Sequence, residues 1–194
     1  MIQNSIALNK ASELHVRVRH GGGTTYDLYI AGRRGSEFSH VSGHPDEGWI
    51  RKIVARLETP KRVKSRSGRE IIFKAEFFES SNENNSEWRN ELDSGGMLAI
   101  PGKLRHTGLR LYCLEWGKRT IIWLKFIDKK GWKGRWQDKK ELREQIAPYV
   151  LIHKDIDAQI LTGALLINED GRMFGFRYYE DDEPENIIKL DFLT

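Results

Sequence analysis

Residues 107–130 read Thr-Gly-Leu-Arg-Leu-Tyr-Cys-Leu-Glu-Trp-Gly-Lys-Arg-Thr-Ile-Ile-Trp-Leu-Lys-Phe-Ile-Asp-Lys-Lys. β-Branched and aromatic residues fill both arms of this stretch, and Gly117 supplies a permissive turn position between them. Because both faces of each arm are apolar, the pattern predicts two antiparallel strands, residues 108–116 and 119–127, in the middle of a sheet. The residues expected to be most buried are Leu111, Cys113, Ile122 and Leu124. Simple alternation also predicts that Phe126 shares a face with Ile122 and Leu124.

The remaining patterns predict a fold in which strands outnumber helices. Alternating apolar residues and turn signals predict hairpins over residues 13–31, 61–78 and 158–179, a short strand at 38–41 and an edge strand at 188–192. Helical patterns cover residues 45–58, 87–93 and 138–147, the last ending at Pro148. The predicted class is α+β, a mostly antiparallel β-sheet with two or three short helices. We expect one domain, residues 1–194; the alternative is a small N-terminal lobe, 1–60, beside a core, 69–179.

Composition and charge indicate a soluble protein with an uneven charge distribution. No apolar run approaches the roughly 20 residues of a membrane-spanning helix, and the first residues lack a signal-peptide pattern, so we expect a cytoplasmic protein and no membrane partner. Residues 155–194 contain ten acidic and three basic residues, which leaves the preceding part strongly basic. This body suggests an anionic partner such as nucleic acid, and the acidic run 180–185 is expected to pack near it. The alternative is two solvated faces of opposite charge.

No motif in the sequence predicts a cofactor or a metal. Gly21-Gly22-Gly23 lacks the spacing of a phosphate-binding loop, and we interpret it as a turn. His40 and His44 have helical metal-ligand spacing, but Gly43 and Pro45 would break such a helix. The single cysteine, Cys113, is expected to be a buried, reduced thiol.

A loop after the central hairpin combines cations with indole rings. Cations can contact a phosphate backbone and indoles can stack on bases, so this loop is a candidate RNA-binding segment. The candidate residues are Lys129, Lys130, Trp132, Lys133 and Arg135, with Trp136 as a second stacking ring. Equally, the tryptophans could pack against the core.

Part of this region resembles a known toxin superfamily. Leu109-Arg110-Leu111-Tyr112, a turn at Gly117-Lys118, the apolar strand 121–126 and Lys129-Lys130 before a short helix resemble the HigB-type branch of the RelE/ParE toxins. The resemblance covers about residues 105–148. It implies a toxin-type module that acts on or binds RNA or the ribosome through a basic sheet face, with an antitoxin as protein partner. Arg110 and Lys129-Lys130 would then correspond to the RNA-facing cations of the family.

Such an activity needs cations that stabilise the charge developing on a phosphate. Arg110, Arg119 and Lys125 are the strand cations that could converge as a catalytic group, and His106 is a candidate acid or base by residue type. Arg110 and Lys125 could instead lie at outward-facing positions with their charges in water. Besides an RNA-directed module, which could be a ribonuclease, the sequence leaves open a protein-interaction module, homodimeric or not, and a small-molecule enzyme.

Overall fold

A computed structural model gives the architecture of most of the chain. The residues that it describes are 12–20, 23–40, 42–59, 61–64, 70–73, 97–102, 108–116, 120–175 and 187–190. The strands are β1 (Ser12–His20), β2 (Gly23–Ile30), β3 (Lys61–Lys64), β4 (Glu70–Phe73), β5 (Met97–Pro101), β6 (Leu109–Trp116), β7 (Thr120–Asp128), β8 (Leu165–Ile167), β9 (Met173–Gly175) and β10 (Ile187–Leu190). The helices are α1 (Glu47–Glu58) and α2 (Lys140–Leu161), with short 3-10 helices at Glu37–Ser39 and Trp136–Asp138. The predicted α+β class is confirmed.

Six strands form the main sheet, in the order β10-β1-β2-β7-β6-β5. Four of its five pairings are antiparallel, but β2 and β7 run parallel, with Thr24 beside Thr120 and Asp27 beside Trp123. The main sheet is therefore mixed. Two small hairpins, β3-β4 and β8-β9, lie outside it. The second hairpin is tied to the main sheet because the Thr24 and Thr120 hydroxyls donate to the carbonyls of Asp170 and Gly171.

The central hairpin, β6 and β7, is confirmed, and each strand has a neighbour on both sides. Leu111, Cys113, Ile122 and Leu124 are all buried, as predicted. The face predicted for Phe126 is wrong. Phe126 packs in the same cluster as Trp123, whereas Ile122 and Leu124 belong to the cluster on the other face. The reason is a bulge: Leu124 and Lys125 together lie opposite Tyr112, and the extra residue reverses the alternation after it.

α2 covers one face of the main sheet. Its buried side chains recur at helical spacing: Leu142, Ile146, Tyr149, Ile152, His153 and Ile156. The predicted stop at Pro148 is wrong, and the helix has 22 residues. Proline removes one backbone donor and disfavours a helix interior, but the apolar face continues past it and stabilises the second half by burial.

α1 and the 3-10 helix Glu37–Ser39 cover the opposite face. Ile50 and Val54 from α1 pack with Phe38, Trp123 and Phe126. The helix predicted at 45–58 is confirmed, whereas the strand predicted at 38–41 is wrong. Ser36 caps a 3-10 turn there, because its side chain accepts a hydrogen bond from the Ser39 backbone N–H.

Other predictions are confirmed in part. The hairpins over 13–31 and 61–78 are confirmed where described, as β1-β2 and β3-β4, and β10 is the predicted edge strand. In the last hairpin, residues 158–161 are the end of α2, not strand. The helix predicted at 87–93 and the acidic run 180–185 lie outside the described residues. No helix among the described residues has both the length and the apolar composition needed to cross a membrane.

Candidate nucleic-acid interface

The basic loop follows β7 and makes a tight reversal. Lys130 and Gly131 both have left-handed backbone conformations, with φ values of 47° and 78°. The strain at a non-glycine residue is offset locally, because the Lys130 N–H donates to Asp128 Oδ1 at 2.8 Å. The Trp132 N–H donates to the Lys129 carbonyl at 3.0 Å. This turn fixes the direction in which the following cations leave the body of the protein.

The turn separates two adjacent lysines. Lys129 is buried, and its ammonium donates to the Gly134 carbonyl at 2.8 Å. Its charge therefore holds the loop closed. Lys130, Lys133 and Arg135 are exposed, and their side chains form no ion pair with another described residue. We call these three cations, together with Trp132, the basic loop surface.

Trp132 is held at the edge of the core. Its indole N–H donates to the Arg135 carbonyl at 2.9 Å, and the Lys139 ammonium lies 5.9 Å from the ring centroid. Gly134 lies so close that a Cβ there would approach Trp132 Cζ2 to 2.8 Å. Trp132 and Trp136 are half-buried against the core cluster under α2. Stacking on bases and packing against the core are therefore both compatible with the geometry, because a half-buried ring packs on one side and is exposed on the other.

A shallow depression of about 200 Å³ adjoins this surface at the start of α2. Lys130 and Lys139 line it, but so do Asp128 and Glu141. With two cations and two carboxylates, its net charge is close to zero at neutral pH. Of the three exposed loop cations, Lys130 lines the depression, whereas Lys133 and Arg135 lie outside its lining.

The structure places the candidate catalytic cations in different settings. Arg110 is buried, 8% exposed, and lies opposite Ile127 on β7. Lys125 is half-buried in the β7 bulge. Arg119 and His106 lie outside the described residues, so the convergence of the strand cations stays a prediction. Within the described residues, no group of three His, Cys, Asp or Glu side chains is placed to hold a metal ion.

Sequence analysis missed a polar cluster on the α1 face of the sheet. Glu58 Oε1, at the end of α1, accepts hydrogen bonds from Arg17 Nε at 2.8 Å, Thr25 Oγ1 at 3.0 Å and Trp123 Nε1 at 2.8 Å. Asp27 lies 3.4 Å from Arg17, and burial raises its pKa although Arg17 opposes the shift. No sequence signal links these residues, because their separations reach 65 positions.

A second missed cluster joins the 3-10 helix Glu37–Ser39 to α2. Glu37 is fully buried, and both of its oxygens lie 2.8 Å from Arg33 Nη1. The Tyr149 hydroxyl on α2 also donates to this carboxylate. Burial, and then the charge of Glu37, raise the pKa of Tyr149, so it stays a neutral donor. The cluster links the segment after β2 to the middle of α2.

A third cluster joins the end of β6 to α2. The Trp116 indole N–H donates to Asp157 Oδ1 at 2.7 Å, and its ring stacks on His153 with centroids 5.0 Å apart. His153 Nδ1 lies 3.1 Å from Asp157 Oδ2, an ion-pair distance without hydrogen-bond alignment. Burial lowers the pKa of His153, and Asp157 opposes the shift. The imidazole is therefore mainly neutral at pH 7.

All three clusters make long-range structural connections, whereas the basic loop surface presents charge to the solvent. Comparison with known proteins gives no match to a family model, to a curated protein or to a solved structure, so the resemblance of residues 105–148 to the RelE/ParE superfamily stays a prediction.

Proposed function

We propose that the protein binds single-stranded RNA through the basic loop surface. One observation carries the proposal: Lys130, Lys133 and Arg135 are exposed without ion-pair partners among the described residues, in the same loop as an indole that contacts the Arg135 carbonyl and Lys139. Exposed cations track phosphates, and an aromatic ring accepts any unstacked base. Single strands suit this surface better than duplexes, because only an unpaired base can leave its stack to contact Trp132.

The proposal is confined to binding. Arg110 is buried and Lys125 is half-buried, so neither is an exposed cation of the kind that defines the basic loop surface. Phosphodiester cleavage, a ribosomal target and an antitoxin partner rest on the RelE/ParE resemblance alone.

Binding can be measured by the fluorescence anisotropy of a labelled single-stranded RNA over a range of salt concentrations. The decisive variant replaces Lys130, Lys133 and Arg135 by Gln. Its matched control replaces Arg34, Lys52 and Lys189 by Gln, because these are also exposed cations but lie elsewhere. Both variants lose the same formal charge, so a difference between their RNA affinities shows that the position of the cations matters.

The expected effect follows from counterion release. For single strands, each phosphate contact contributes about 0.7 to the slope of log K against log salt, so three lost contacts reduce the slope by about 2. If the loop variant and the unmodified chain bind RNA equally in 1 M salt, this difference in slope makes the variant bind roughly 100-fold more weakly near 0.1 M salt. Trp132→Ala should weaken binding through lost stacking, about 1–3 kcal/mol, without changing the slope.

Two results would contradict the proposal. One is the absence of binding at about 50 mM salt, where electrostatic attraction is strong. The other is equal affinity of the loop variant and its control, which would mean that only net charge matters. Salt-tolerant binding of a protein in place of RNA would favour the protein-interaction alternative.

A further inference from the structure

The face of α2 that points away from the core carries a regular seam. A row of exposed positions runs along the side of this helix opposite its buried residues. These positions are spaced by three and four residues alternately, and we call them the outer seam: Glu144, Ala147, Leu151, Lys154, Ala158 and Leu161.

Two exposed leucines distinguish the outer seam from an ordinary solvated face. Leu151 is 49% exposed and Leu161 is 86% exposed, whereas the outer face of a helix on a sheet is normally polar. The spacing by three and four residues is that of any helix face, and it would allow each seam residue to pack between residues of a second helix. Opposite its buried face, α2 therefore carries a mixed row in which two leucines and two alanines alternate with one acidic and one basic residue.

We propose that a second copy of this chain packs on the outer seam, with the two α2 helices antiparallel. The two-fold axis passes between Ala147 and Leu151. Ala147 then lies opposite Leu151 of the partner subunit, and Glu144 lies opposite Lys154 of the partner subunit. By symmetry each pair occurs twice, whereas Leu161 lies beyond the first residue of the partner helix and is not covered by it.

Size and charge favour this arrangement over the alternatives. A leucine fills the space that an alanine leaves, so the two small and two large side chains are complementary. A parallel pair would place Ala147 on its own copy, leaving a gap, and would oppose Glu144 to Glu144 and Lys154 to Lys154. Sliding the antiparallel pair until Leu151 meets Leu161 would instead bring Asp155 near its own copy. An antiparallel second copy presents the same charges in reverse order, so it places an opposite charge beside both Glu144 and Lys154.

A dimer of this kind should be weak. One helix face from each copy buries less than about 1,200 Å² in total, which is at the low end for specific interfaces, and we expect a Kd on the order of 10–100 μM. From a rise of 1.5 Å per residue, the first residues of the two α2 helices would be about 27 Å apart along the pair. The two sheets would lie on the outside of the helix pair. This inference rests on the outer seam and is independent of RNA binding.

Analytical ultracentrifugation of the full chain over a range of concentrations tests the association. Leu151→Glu should raise the dissociation constant at least tenfold, because it places a charge in the seam. Glu144→Lys and Lys154→Glu should each weaken the dimer by opposing like charges, and the double variant should restore most of the loss. Lys52→Glu, an exposed cation on α1, is the control for a charge reversal outside the seam. All these positions are exposed, so circular dichroism should show unchanged folding.

A disulfide test reports the register directly. Under mild oxidation, Ala147→Cys mixed with Leu151→Cys should form the mixed dimer faster than either variant forms its own, because only the mixed pair lies at one level. The natural cysteine, Cys113, is buried and should not compete. A chain that stays monomeric up to about ten times the expected Kd would overturn the proposal. So would a double charge variant no more associated than either single variant, or equal rates for mixed and self crosslinks.

Discussion

Glu58 organises the α1 side of the sheet, and its removal should be among the most destabilising single changes at a polar residue. Its Oε1 atom accepts from Arg17, Thr25 and Trp123. Trp123 is fully buried and Thr25 is nearly so, so neither donor can turn to water when the carboxylate is lost. Glu58→Ala therefore leaves two buried donors without their acceptor.

The magnitude follows from those two donors. A buried donor left unsatisfied costs about 1–3 kcal/mol, so Glu58→Ala should lower the free energy of unfolding by about 2–6 kcal/mol. Glu58→Gln keeps an acceptor in place and removes the charge that faces Arg17, which should cost only about 1–2 kcal/mol. Against a typical total of about 5–15 kcal/mol, the first change is severe and the second is moderate.

Urea unfolding followed by circular dichroism and tryptophan fluorescence measures both changes. Lys52→Ala is the matched control, because it is exposed on the same helix and should change the free energy of unfolding by less than about 0.5 kcal/mol. A loss below about 1 kcal/mol for Glu58→Ala would refute the reasoning. Equal losses for the two Glu58 variants would show that the charge matters and the hydrogen-bond acceptor does not.

Three further changes test the other local environments. Burial lowers the pKa of His153, so at pH values just below the ordinary histidine pKa the unfolded chain binds more protons than the folded chain. The free energy of unfolding should therefore fall as the pH drops through this range. Urea unfolding at pH 5 and 7.5 should show a smaller fall for His153→Gln. Because burial raises the pKa of Asp27, its ionisation in the folded state opposes folding, and stability should be lost as pH rises through the folded pKa. Asp27→Asn should therefore be more stable than the unmodified chain at pH 7, with the difference shrinking towards pH 4; a difference that is the same at both pH values would contradict this. Gly134→Ala forces the Trp132 ring to move and should weaken RNA binding with an unchanged salt slope, as Trp132→Ala does; unchanged affinity would remove the indole from the interface.

Local patterns were sufficient to predict most elements of the fold. The central hairpin was predicted because both faces of both arms are apolar, and the edge strand because its residues alternate. The parallel pairing of β2 with β7 could not be predicted, since residues near 25 and 121 carry no local signal for one another. The bulge at Lys125 and the continuation of α2 past Pro148 depend on packing partners that are distant in sequence.

The candidate site shows the same limit at the level of single side chains. Lys129 and Lys130 are the same residue type at adjacent positions, so sequence reasoning assigned them one role. The left-handed turn that begins at Lys130 separates them, and the Gly134 carbonyl binds only Lys129. Exposure of a charge thus depends on backbone geometry that composition does not encode.

The chain itself covers the carboxyl end of the parallel pair β2-β7, which bears on the position of the proposed interface. In open sheets, ligands commonly bind in a crevice at the carboxyl ends of parallel strands. Here the segment after β2 occupies that region itself: Arg33 and Tyr149 bind Glu37, and Phe38 packs on Trp123 and Phe126. The loop after β7 lies beside the start of α2, where Lys130 and Lys139 line the same depression. The proposed interface is exposed and charged, which suits the backbone of a flexible strand better than a small molecule, because a small molecule needs a mostly apolar concave pocket.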